Sequence, residues 1–93
     1  MGSLTINLID GEFSPEDAKE ILIDLINKKI QFHSLKSHEN WERFGQVDDF
    51  AHSRIKSLES AREKIIDMSK LTFPNDFKLK IKSAIEIDGL NDF

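Results

Sequence analysis

Apolar and polar residues alternate over Leu4-Thr5-Ile6-Asn7-Leu8, the two-residue period of a strand with one buried face. Asp10-Gly11 reads as the stop of that strand. Phe13-Ser14-Pro15-Glu16-Asp17 then spells a helix start. Ser14 is the N-cap, Pro15 fits the first helical position, and Glu16 and Asp17 stand where the helix dipole favours negative charge. Ala18, Ile21, Leu22, Leu25 and Ile26 recur at three- and four-residue spacing, which gives the helix an apolar face. Lys28 and Lys29 suit its last turn, so the pattern predicts an end near residue 29.

The period is lost over residues 30–46, which read as an irregular link. Ile30-Gln31-Phe32-His33-Ser34-Leu35 alternates weakly and offers a short extended segment, while Trp41 and Phe44 are the apolar anchors of an otherwise polar stretch. Helical spacing returns with Val47, Phe50, Ala51, Ile55, Leu58, Ala61, Ile65 and Met68, uninterrupted by Pro or Gly. At 1.5 Å per residue this second helix would be about 35 Å long, against about 22 Å for the first. Thr72-Phe73-Pro74-Asn75-Asp76 stops it, and Leu79, Ile81, Ile85 and Ile87 form one face of a second strand between lysines 78, 80 and 82. Residues 88–93 read as a flexible tail.

The predicted fold is α+β: strand, helix, long link, long helix, strand, within a single domain over residues 1–93. Two antiparallel helices would return the chain to a small antiparallel sheet and pack on it as a hairpin. Two strands make a marginal sheet with open edges, and a long helix beside a short one leaves apolar surface uncovered. A homodimer is therefore the expected assembly, joined through sheet edges or through the long helices.

Size and charge narrow the possible functions. The chain has 93 residues and 10.7 kDa, with 13 basic and 17 acidic side chains giving a net charge of −4. An acidic balance argues against nonspecific nucleic-acid binding, which rests on clustered Lys and Arg facing phosphates. Alternating lysines on the second strand read instead as a guard against edge-to-edge aggregation. With no cysteine, thiolate zinc sites, iron–sulfur clusters, disulfides and a cysteine nucleophile are excluded. No apolar run reaches the roughly 18–20 residues of a membrane span, and the N-terminus lacks a secretory pattern, so a cytoplasmic setting without a membrane partner is expected.

Ile9-Asp10-Gly11, Ala18-Lys19-Glu20-Ile21-Leu22, Lys29-Ile30-Gln31-Phe32-His33 and Glu42-Arg43-Phe44-Gly45 resemble short bacterial proteins of unknown function, over roughly residues 4–70. The resemblance implies a small free-standing bacterial protein and carries no activity.

Candidate chemistry is sparse. There is no glycine-rich phosphate loop and no nucleophile elbow, so neither an enzymatic activity nor a cofactor is expected. Asp48-Asp49 is explained by helix capping better than by acid–base work. His33, His38 and His52, with Glu39, Glu42 or Asp48, supply the nitrogen and oxygen donors of a metal site, but without the spacing that places two histidines on one helical face. Trp41-Glu42-Arg43-Phe44 holds the residue types that dominate binding hot spots. The preferred reading has Trp41 and Phe44 packed across the open end of the hairpin. The leading function is a non-enzymatic protein-interaction or regulatory module, with His33, His38, Trp41, Arg43 and Phe44 as candidate contacts. The alternative is a small ligand- or metal-binding protein using the His, Arg and Trp residues of the 33–52 segment.

Overall fold

In a computed structural model, described over residues 2–89, the chain runs β1 (Ser3–Phe13), α1 (Pro15–Phe44), α2 (Asp49–Ser69), β2 (Leu79–Asp88). The α+β order of strand, helix, helix, strand is the one read from the sequence. It divides into two compact units. One holds both strands with the chain through Ala18 and from Pro74 onward; the other is Lys19–Phe73.

The strand unit is a two-stranded antiparallel sheet. Asp10-Gly11 does not end β1, which continues to Phe13. The reason lies in a bulge. Asn7 pairs with Ala84 and Ile9 with Ser83, so Leu8 is an extra residue with no partner. Leu4 and Ile6 face Ile87 and Ile85 before the bulge; Ile9, Gly11 and Phe13 face Ser83, Ile81 and Leu79 after it. Without the extra residue, Ile9 and Phe13 would fall on the opposite face from Leu4 and Ile6, because side chains alternate. The bulge thus keeps one apolar face along the whole sheet. On the other face Asp10 stands opposite Lys82 and Glu12 opposite Lys80, pairings of opposite charge that favour this register. Asp88 belongs to β2, and the Gly89 N–H donates to the Gly2 carbonyl at 3.1 Å. The remainder of the expected tail, residues 90–93, lies outside the described residues.

The helical unit departs most from expectation. Helix α1 begins as the sequence predicts, with the Asp17 N–H donating to Ser14 Oγ at 3.1 Å. It then runs 30 residues to Phe44, through the whole segment read as an irregular link. Residues 30–35 are helical and supply no third strand. Helix α2 has 21 residues, so the length order is reversed: about 45 Å for α1 against about 32 Å for α2. The apolar period faded because the inward row of α1 changes chemistry along its length. Ile26 and Ile30 are followed at the same spacing by His33, Ser37 and Asn40, all half-buried. Helix geometry persists while hydrophobicity does not.

Two hydrogen bonds set the register of the antiparallel helical pair. Arg62 donates to Asn27 Oδ1 at 2.6 Å, and Asn40 donates to Asp48 Oδ2 at 3.2 Å. Arg62 thus serves the helix pair as well as the outer face, where it lies 3.9 Å from Glu59. Among the described residues only Ala18 and Ala51 are fully buried apolar side chains. No helix of the described residues is long and apolar enough to cross a membrane.

Candidate functional site at the turn of the helical hairpin

The turn is built from two caps. At the end of α1, Gly45 takes a φ of +63° and its N–H donates to the Trp41 carbonyl at 2.8 Å. That is the left-handed glycine ending of a helix, a conformation that costs a side-chain-bearing residue roughly 1–2 kcal/mol. Three residues on, Asp48 opens α2 by accepting from the Ala51 N–H at 2.9 Å through Oδ1. Its Oδ2 takes the bond from Asn40. One carboxylate therefore starts the second helix and ties it to the last turns of the first. Asp48 is a cap, as the sequence reading prefers, and Asp49 sits in the first turn behind it.

This tight turn leaves its apolar residues outside. Trp41 is 56% exposed, Phe44 64%, Val47 63% and Phe50 71%. The expectation that Trp41 and Phe44 are packed across the hairpin's open end is therefore corrected. They lie beside a closed end, and a helix pair cannot enclose side chains at its own turn without a third element. Arg43 lies with its guanidinium 5.6 Å from the Phe44 ring centroid, so the two candidate contacts are neighbours. Phe32 and Leu35 are exposed on α1 as well.

The histidines separate. His38 and His52 line one groove of about 410 Å³ with Trp41, Ser34, Ser37 and Ile55. His38 also lies 2.9 Å from Glu42 through Nε2, at four-residue spacing on the exposed face of α1. His33 instead stands between two phenylalanines, with ring centroids 5.5 Å from Phe32 and 6.4 Å from Phe50. Its Nε2 is buried and has no hydrogen-bond partner. Among the described residues no group of three or more His, Asp or Glu side chains is placed to hold a metal ion.

The sequence reading overlooked Phe50 as a surface residue because it fits the α2 apolar spacing. It also passed over Gly45, whose place just after Arg43-Phe44 and three residues before an acidic cap is a helix-ending signal. No known protein family, curated protein or solved structure matches this chain.

Proposed function

We propose that this chain is a non-enzymatic protein-interaction module, acting as a homodimer, whose contact surface for a second protein is the turn of the helical hairpin. The observation that carries the reading is the exposure of Trp41, Phe44, Val47 and Phe50 within ten residues of sequence. Large aromatics beside an arginine are the side chains that contribute most when a protein surface is desolvated. They stand on a rigid support, because Gly45 and Asp48 fix the turn by backbone conformation and hydrogen bonds. A preformed surface loses less conformational entropy on binding than a mobile loop.

Phe44→Ser is the discriminating change, since an exposed ring can be removed with little effect on folding. The native protein immobilised on a resin should retain a partner that the Phe44→Ser protein does not. Titrating that purified partner should shift the Trp41 emission to shorter wavelength. Equal retention by both proteins, or an emission spectrum unmoved by the partner, refutes the assignment.

A second reading is favoured by one observation, the shared groove of His38, His52 and Trp41. A planar organic ligand stacked on the indole and hydrogen-bonded by the imidazoles would suit it. A thermal shift lost in both Trp41→Ala and His52→Ala would select this reading; a flat response to a metabolite and metal panel would remove it.

A further inference from the structure

The outer edge of β2 has a charge pattern whose acidic half, Glu86 and Asp88, stands opposite no charged residue of β1. Among the described residues β2 pairs with β1 alone, leaving its other edge without a strand. Along it, Lys80 and Lys82 precede Ala84, and Glu86 and Asp88 follow, at equal distances and all exposed. The pattern is antisymmetric about Ala84: each lysine is mirrored by a carboxylate. An antiparallel copy of the same strand, related by a two-fold axis at Ala84, meets Lys80 with Asp88 and Lys82 with Glu86, each twice.

We infer that two copies of this chain join through β2, antiparallel and in register about Ala84, into a four-stranded sheet of order β1-β2-β2-β1. The inference specifies the homodimer of the preceding reading and uses residues of β2, none of which belongs to the hairpin turn. Each lysine would lie between two acids. Within one copy Lys80 faces Glu12 and Lys82 faces Asp10; across the axis they face the second copy's Asp88 and Glu86. The opposite face matches equally well, because the same register sets Ile81 against Ile87 of the second copy and Ser83 against Ile85. Sliding by one residue would oppose apolar to charged positions. Sliding by two toward Leu79 would leave Lys82 opposite Ala84. Of these neighbouring registers, the one about Ala84 pairs every charge of the strand.

The other edge is a poorer candidate. Strand β1 carries Asp10 and Glu12 with no basic residue, and its Leu8 bulge interrupts a regular ladder. A second copy is also favoured over an unrelated strand. Antisymmetry about a central residue serves an isologous contact, whereas a foreign strand would have to reproduce the complementary pattern. The lysines that discourage unlike edges thus admit a like one.

The chain has no cysteine, so a single introduced thiol reports the geometry. Opposed residues of an antiparallel pair have Cα atoms about 4.5–5.5 Å apart, within disulfide reach. Ala84→Cys should give a covalent dimer under mild oxidation. Asn7→Cys, the neighbour of position 84 on β1, should not, because three strand spacings of roughly 4.8 Å separate the two copies there. In parallel, Glu86→Lys/Asp88→Lys should lose the species of twice 10.7 kDa in light scattering. Those positions face Thr5 and Ser3 within the chain, so no intrachain charge pair is lost. A reciprocal protein, Lys80→Glu/Lys82→Glu with Asp10→Lys/Glu12→Lys preserving the intrachain pairs, should also be monomeric. Mixing the two, each checked for native circular dichroism, should restore the dimer mass. Several results overturn the inference: a wild-type mass of 10.7 kDa at all concentrations, a dimer that survives Glu86→Lys/Asp88→Lys, or cross-linking at position 7 and not at 84. None of these touches Trp41 or Phe44, so partner capture by the hairpin turn succeeds or fails independently.

Discussion

Asp48 offers the sharpest test of how the helical pair is held. Its two oxygens do different things, one capping α2 through the Ala51 N–H and one accepting from Asn40 on α1. Replacing it by Ala removes both. Loss of an N-cap side chain costs about 1 kcal/mol. The Asn40 bond is to a charged acceptor but is only part-buried, so about 1 kcal/mol is a fair value for it. Asp48→Ala should therefore cost about 2 kcal/mol. Asp48→Asn keeps a capping oxygen but turns an amide toward the Asn40 amide, and should cost about 1 kcal/mol. Asn40→Ala should cost a similar amount, and adding it to Asp48→Asn should cost almost nothing more, since the shared bond is already gone. The assay is urea unfolding followed at 222 nm, at one protein concentration because the proposed dimer would stabilise the folded state by mass action. With a slope of roughly 1–2 kcal/mol per molar urea, the Asp48→Ala midpoint should fall by about 1–2 M. A midpoint within about 0.3 M of wild type, or strictly additive Asn40 and Asp48→Asn effects, would refute the two-oxygen account.

The other expectations are simpler. Ser14→Ala should lower stability by about 1 kcal/mol through loss of the Asp17 N–H bond, and an unchanged denaturation midpoint would count against the cap. Gly45→Ala should cost about 1–2 kcal/mol although its new methyl meets nothing within 4 Å, so the loss is conformational, and Gly45→Asn should cost less; equal stability in all three would contradict the left-handed ending. The single tryptophan of the free protein should emit at long wavelength and be quenched readily by acrylamide, whereas a blue-shifted, protected emission would place Trp41 in a contact. Phe44→Ser should leave the urea midpoint unchanged within about 0.3 M, consistent with a ring that is mostly in solvent.

The order of elements was legible because each start had its own chemical signature. Ser14-Pro15 capped α1, Asp48 capped α2, and the alternation around Ile81 marked β2. What was not legible were the lengths. The Leu8 bulge reverses the parity of β1, and a reader following strict alternation meets Ile9 out of phase and stops the strand at Asp10-Gly11. The second half of α1 failed for a different reason. Hydrophobic period detects a helix only where the partner-facing row is apolar, and from His33 onward that row is His, Ser and Asn. The candidate residues at 41–44 were found from residue type alone, but their exposure followed from where α1 ends, which the sequence reading placed some fifteen residues too early.

The polar half of the seam and the exposed aromatics at the turn are two sides of one allocation. From His33 to Asn40 the inward row of α1 is polar, and the helices meet there through Asn40 and Asp48 with little apolar burial. Yet Phe32, Leu35, Trp41 and Phe44, on or next to the same stretch of α1, are left exposed to solvent. A chain selected only to stabilise its own hairpin would reverse the two sets, since each large apolar side chain moved from water into a core is worth roughly 1.5–3 kcal/mol. Holding the pair by directional bonds and spending the apolar residues outward gives up stability while fixing the turn's geometry. Under the proposed function, a partner covering these exposed residues would recover that burial. A variant combining Ser37→Phe with Phe32→Ser and Phe44→Ser separates the two uses. It should retain the helical pair, and by this reasoning it should have no partner to bind.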